Sequence, residues 1–157
     1  MSHSQLEKLQ TQGFLPPADL VPVRAGLASF NGKTQAEDFP NPSAGERVCF
    51  IPYLLRGVGL PIHPFLRGLL EYYGLQLHNF TPASILHIAG YVALCKLFLG
   101  CEAHFDLWRR LFCLVPRTQK GCVFEVGGAE IWRIAGTGYL SDTPKKASEE
   151  WPSEWFI

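Results

Sequence analysis

The stretch Thr81–Gly100, TPASILHIAGYVALCKLFLG, decides how the rest of the chain is read. Thr81 is a good N-cap, because its hydroxyl can accept from a first-turn N–H. Pro82 suits the first helical position, where the N–H it lacks has no helical partner anyway. Ile85, Leu86, Ile88, Ala89, Val92, Ala93, Cys95, Leu97, Phe98 and Leu99 then fill nearly every side, and Gly100 ends the helix. A helix that is apolar all round is either the centre of a bundle or a membrane span. Phe80–Leu99 is long enough to span a bilayer, with Lys96 near one end able to snorkel. His87, Gly90 and Tyr91 lie mid-span, however, and the neighbouring segments carry apolar stripes that need something to pack on. The expectation is a water-excluded central helix and no membrane.

Working upstream, Pro64 opens a helix that places Phe65, Leu66, Leu69, Leu70 and Tyr73 on one face and that Gly74 ends. Leu54–Leu60 reads as a turn of helix closed by Gly57 and Gly59. Val48–Ile51 reads as a buried strand or extended lead-in before Pro52. Phe14–Glu46, punctuated by Pro16, Pro17, Pro22, Pro40 and Pro42, has no sustained period and reads as loop. Ser4–Gln12 can form a short helix with Leu6 and Leu9 on one face, stopped by Gly13.

Downstream, Phe105, Trp108, Leu111, Phe112 and Val115 recur at helical spacing, so a helix is expected over about 102–114, stopped by Pro116. Its acids precede its bases, as the helix dipole favours, and Asp106 can pair with Arg110. The period then becomes two. Cys122–Val126, a Gly127-Gly128 turn and Glu130–Ile134 read as a β-hairpin, with Trp132 and Ile134 packed on the helices. The last residues, Trp155, Phe156 and Ile157, look cut within a strand. The fold expected is therefore mainly α: a compact helical domain around one central apolar helix with a small C-terminal β-hairpin, α+β being the alternative. Its organisation is a mostly irregular segment with a short helix over 1–46 and one helix-rich globular domain over 47–157, truncated at its C-terminus. Expected core residues are Phe65, Leu69, Ile85, Ile88, Val92, Phe105, Trp108, Leu111, Phe112 and Trp132.

The bulk numbers narrow the function classes. With 157 residues, 47% hydrophobic and 18% charged, the chain suits one folded domain rather than a disordered or fibrous one. Formal net charge is zero, whereas dedicated nucleic-acid binders usually carry a basic excess. Five cysteines, none in C-x-x-C spacing, and a polar start without a signal-peptide run point to reduced thiols in an intracellular protein, nucleus or cytoplasm undetermined.

No phosphate loop is present, and Gly57 with Gly59 forms only a G-x-G. Cys95, Cys101 and His104 are the nearest approach to a metal set. The cysteines straddle a helix end, so buried thiols packing as small hydrophobes are the simpler reading. Nothing ties His3, His63, His78, His87 or His104 to a cysteine nucleophile. No cofactor or metal is expected. Arg109, Arg110, Arg117 and Lys120 fall close together with no acid between them. They read either as a small patch facing nucleic acid or a partner, or as a cationic helix C-terminus followed by a solvated loop; the second is the simpler.

Several of these segments together resemble a known family. Arg47–Ile51, Arg56–Phe65, Leu69–Ala83, Cys95-x-x-Phe98-Leu-Gly100 and Phe105–Phe112 look like the core of the plant "putative gypsy-type transposon" domain, and Gly127-Gly128, Trp151 and Trp155-Phe156 also fit. The chain departs from that pattern at Lys96, where an acid is expected, and at Ile157, where the family continues, so a fragment or degenerate copy is expected. The resemblance carries no catalytic residues onto this chain. Motifs of mobile-element enzymes are missing: Asp142-Thr143 is followed by Pro144 rather than the glycine an aspartic protease needs, no Asp-Asp pair serves a reverse transcriptase, and Glu71, Glu102, Asp106, Glu125 and Glu130 lie at solvated positions rather than as a metal-holding triad. A non-enzymatic interaction or gag-like assembly module, self-associating or binding another protein, is the expected function. A nucleic-acid-binding accessory domain is the alternative.

Overall fold

The computed structural model describes residues 3–17, 19–20, 42–117, 124, 126–136, 151 and 155–156. Helix α1 (His3–Thr11) is followed by strand β1 (Cys49–Phe50), the short helix α2 (Ile51–Leu54), helix α3 (Pro64–Tyr73) and a 3-10 turn over Leu77–Asn79. Helix α4 (Pro82–Ala93) runs on as a π-helical segment over Leu94–Leu99. Helix α5 (Phe105–Leu111), strands β2 (Phe112–Pro116) and β3 (Ala129–Arg133), and the terminal strand β4 (Trp155–Phe156) complete the order. The chain is a mixed α+β domain, with helices packed against small antiparallel strand pairs; the strand content makes mainly α too narrow.

The stop and start signals act as their chemistry dictates. Thr81 Oγ1 accepts from the Ser84 N–H at 3.2 Å, capping α4. His63 Nδ1 accepts from the Phe65 N–H at 3.2 Å at the start of α3, with Pro64 in its first turn. Gly74 and Gly100 end α3 and the π segment in the left-handed region, at φ 63° and 62°. The short helix lies earlier than Leu54–Leu60: it spans Ile51–Leu54, and the turn after it brings Gly57 against α4, where an added Cβ would sit 2.8 Å from that of Ala89. Leu6 and Leu9 of α1, with Leu15 beyond it, are buried in the same core as α3 and α4.

The pairing of β3 differs from the hairpin expected. Cys122 and Cys122–Val126 as a strand lie largely outside the described residues, and β3 pairs instead with Phe112–Pro116, from Phe112 opposite Arg133 to Pro116 opposite Ala129. The helix expected over 102–114 therefore ends at Leu111. Phe112-Cys-Leu-Val-Pro fits either period, and the cross-strand ladder decides for strand. The expected inward face of β3 is also reversed. Ile131 and Ala129 are buried, while Trp132 is 56% exposed and not core; strand side chains alternate, so the face holding Ile131 cannot also hold Trp132. Strand β1 pairs antiparallel with β4, Cys49 opposite Phe156 and Phe50 opposite Trp155.

The core has two aromatic centres. Phe65, Tyr91, Trp108 and Phe112 pack between α3, α4 and the α5–β2 junction, with Trp108 stacked on Phe112 at 4.3 Å. Phe50, Tyr53 and Trp151 form the second at 5.0–5.5 Å. Leu69, Ile85 and Ile88 are buried as expected, and Phe65, Phe105 and Leu111 are partly buried against the core; Val92 is half-buried. Buried hydroxyls are satisfied: Tyr53 donates to the Phe80 carbonyl at 2.6 Å, and Tyr91 donates to the His104 carbonyl at 2.6 Å while accepting from the His104 N–H.

Candidate interaction surface

Helix α4 has one face in the core and one outside it. Ser84, Ile85, Ile88, Tyr91 and Cys95 are buried. Ser84 Oγ accepts from the Ile131 N–H at 2.8 Å and lies 2.9 Å from Thr81 Oγ1, so the core face is held to β3 by hydrogen bonds as well as by packing. Leu86, Ala93 and Leu97, at helical spacing on the opposite side, are exposed. All-round burial was expected and is wrong. A helix apolar on every side need not have neighbours on every side, and here the cover stops at the flanks.

Exposure is greatest where the ladder widens into the π segment. Leu97 and Phe98 are 77% and 79% exposed, and Leu99 is 54% exposed. Single exposed apolar side chains are ordinary; a contiguous group of this kind marks a contact surface. By length and composition alone, Pro82–Leu99 is long and apolar enough to cross a membrane, at a mean hydropathy of 1.5. Its core-face bonds through Ser84 and Tyr91 tie it into the fold.

Of the basic cluster read from the sequence, Arg109, Arg110 and Arg117 lie among the described residues. Arg109 and Arg110 are exposed at the end of α5, and the Arg109 guanidinium lies 5.9 Å from the Phe105 ring centre. Arg117 follows the whole of β2, so the strand holds it roughly 16 Å or more away from them at about 3.3 Å per residue. Arg117 is also engaged, 4.7 Å over the Phe124 ring and 4.0 Å from the Glu130 carboxylate, which accepts in turn from the Trp132 indole N–H at 2.9 Å. Lys120 lies outside the described residues. Asp106 and Arg110 form no ion pair among the described residues.

The thiols divide by burial. Cys49 and Cys95 are buried, Cys101 and Cys113 exposed. Burial pushes the Cys49 thiol up to about 12, which suppresses thiolate. The Cys101 N–H donates to the Cys95 carbonyl at 3.0 Å across the helix end. Among the described residues, no three His, Cys, Asp or Glu side chains converge as a metal set. In the native protein a water-soluble alkylating reagent is expected to label Cys101 and Cys113 rapidly and Cys49 and Cys95 only after denaturation, as peptide mass mapping would report.

His87 is half-buried against Phe112, with ring centres 5.6 Å apart. Desolvation, and then the Arg133 charge, lower its pKa. His63 moves the same way, through desolvation and Lys96, opposed by Glu102. An imidazole whose folded value is depressed binds fewer protons folded than unfolded, so its stabilising contribution is full above the unfolded value of about 6.5 and is lost as pH falls through the folded one. The melting temperature is expected to fall from pH 7 to 5, and His87→Gln to flatten that fall; an unchanged profile in the variant would exclude His87 as its source.

A shallow groove of about 380 Å³ lies between the β1 lead-in and the 3-10 turn, lined by Arg47, Gln76 and His78 among others. The face of α4 is the better-defined feature.

Residues 48–116 match the family model described as putative gypsy type transposon. The resemblance read from the sequence is shown over that segment. The match runs from the β1 lead-in to the end of β2, so the transposon-type segment contains α4, its exposed face, Arg109 and Arg110. It stops before Arg117, and before Gly127-Gly128, Trp151 and Trp155-Phe156, which the sequence resemblance also includes. No curated protein and no solved structure matches the chain.

Proposed function

We propose that this transposon-related domain works as a non-catalytic protein-interaction or assembly module, docking through the outer face of α4. One observation supports this reading above the others: Leu86, Ala93, Leu97 and Phe98 place exposed apolar surface on a helix whose opposite face is anchored by Ser84 and Tyr91. Such a face is rigid, so little ordering entropy opposes docking. Leu97→Asp with Phe98→Asp changes only strongly exposed side chains. Far-UV circular dichroism and melting temperature are expected to stay close to those of the parent, while proteins cross-linked to the parent in its native setting are lost. An identical cross-linked set for parent and variant would refute the reading.

The nucleic-acid alternative has little to stand on beyond Arg109 and Arg110. Two phosphate contacts give a salt slope of only about −2 on duplex DNA. Retention of duplex DNA at roughly 150 mM salt is expected to be negligible; tight binding that Arg109→Ala plus Arg110→Ala abolishes would favour the alternative.

A further inference from the structure

We infer that the occupant of the α4 outer face is a second copy of this chain, the two helices crossing antiparallel about a two-fold axis. This inference rests on the interaction reading above and names its partner. The outer side of α4 and its π segment carries exposed Leu86, half-buried Gly90, exposed Ala93 and, in the π segment, exposed Leu97, spaced four, three and four apart. That is the spacing of a helix–helix seam. The order is also a palindrome of size: large, small, small, large. Leu86 and Leu97 are centred on the same point of the helix as Gly90 and Ala93, between Tyr91 and Val92. A two-fold axis through that point sets Leu86 of each copy against Leu97 of the other and Gly90 against Ala93. The small pair permits close approach at the crossing, and the leucines close the seam at both ends. Self-complementarity of this kind is what an isologous interface requires, since each contact must occur twice.

Charge and area agree with this. No ionisable residue sits on the seam itself, so two identical faces meet without like-charge repulsion. Phe98 and Leu99 extend the apolar surface beyond Leu97, giving a patch on the order of 400 Å² at roughly 150–200 Å² per large side chain. A standard interface buries about 800 Å² per partner, so the seam supplies about half and the surrounding rim the rest. The dimer is accordingly expected to dissociate in the micromolar range. A lipid surface is the less suitable occupant: helices that lie on membranes carry a row of Lys and Arg beside the apolar face, and α4 with its π segment has Lys96 alone.

Sedimentation equilibrium of the full chain at 1–100 μM on the order of the expected constant is the first measurement, with Leu97→Asp as control. The parent is expected to shift from monomer to dimer and the variant to stay monomeric with an unchanged melting temperature. Geometry is tested by Leu86→Cys/Leu97→Cys in a background carrying Cys101→Ser, Cys113→Ser and Cys122→Ser. The introduced cysteines lie three helical turns apart in one chain and cannot bridge within it. Under a mild disulfide oxidant, the pair is expected to give a covalent dimer and each single variant almost none. A parent monomeric throughout the range, a dimer that survives Leu97→Asp, or cross-linking by the single variants would overturn the inference. Binding of the monomer to phospholipid vesicles through Leu97 and Phe98 would overturn it as well. A monomeric parent that still loses another cross-linked protein on Leu97→Asp/Phe98→Asp would remove the dimer and leave the interaction reading standing.

Discussion

Trp108→Ala is expected to lower the unfolding free energy by about 3–5 kcal/mol, the usual result of emptying a buried aromatic site. Trp108 is 1% exposed and touches three rings at once: Phe65 at 5.6 Å, Tyr91 at 5.2 Å and Phe112 at 4.3 Å. Those partners come from α3, α4 and β2, so one side chain joins three elements that are distant in sequence. Each such pair adds roughly 0.5–1.5 kcal/mol beyond area burial, and the rings around the hole cannot all close on it. Against a total of about 5–15 kcal/mol for a domain, the loss leaves little reserve. Urea denaturation should show the midpoint falling by roughly 2 M at a slope near 2 kcal/mol per M. Trp108→Phe should recover part of the loss. A drop below about 1 kcal/mol in the alanine variant would mean the cluster is not the centre of the core.

Trp108 was legible in the sequence because two signals agreed on it. It sits three residues after Phe105 and four before Phe112, and both a continued helix and a helix followed by a strand bury that side. Phe112 stayed core for the same reason, although the backbone around it is strand. Trp132 was misread because its burial depends on register, which only the partner strand fixes. With Cys122–Val126 as partner, nothing chose between the faces of β3. With β2 as partner, Ile131 faces α4 and Trp132 faces solvent. The helix ends at Thr81, Pro64, Gly74 and Gly100 match the sequence reading, since these residues act through their own backbone chemistry and need no distant partner.

The candidate surface was visible and misassigned. The apolarity of Leu86, Leu97, Phe98 and Leu99 was plain, but sequence cannot say how many neighbours a helix has, so exposure was taken for burial. The total apolar content held the clue: Ser84, Ile85, Ile88, Tyr91 and Cys95 already make a full inward stripe, and a second stripe on the far side exceeds what the core needs. Arg110 and Arg117, close in sequence, stand at opposite ends of the five-residue strand β2.

Ser84→Ala should be the most damaging change that leaves residue volume nearly intact, at about 1–3 kcal/mol. Ser84 is 1% exposed, and its hydroxyl bonds the Ile131 N–H at 2.8 Å, contacts Thr81 Oγ1 at 2.9 Å and reaches the Ala129 carbonyl at 3.4 Å. Alanine keeps the Cβ packing but can satisfy none of these, and a buried strand N–H without an acceptor retains its full desolvation penalty. Thr81→Ala removes the helix cap as well as one member of the network and should lose about 1 kcal/mol. Because the two hydroxyls share a bond, the double variant should lose less than the sum, with a coupling of roughly 0.5 kcal/mol or more. Amide exchange locates the effect. Ile131 should exchange faster in Ser84→Ala by more than the global loss of stability explains, because its N–H has lost the Ser84 acceptor. Unchanged relative protection at Ile131 would mean that packing alone, without this hydroxyl, fixes the strand pair to the helix.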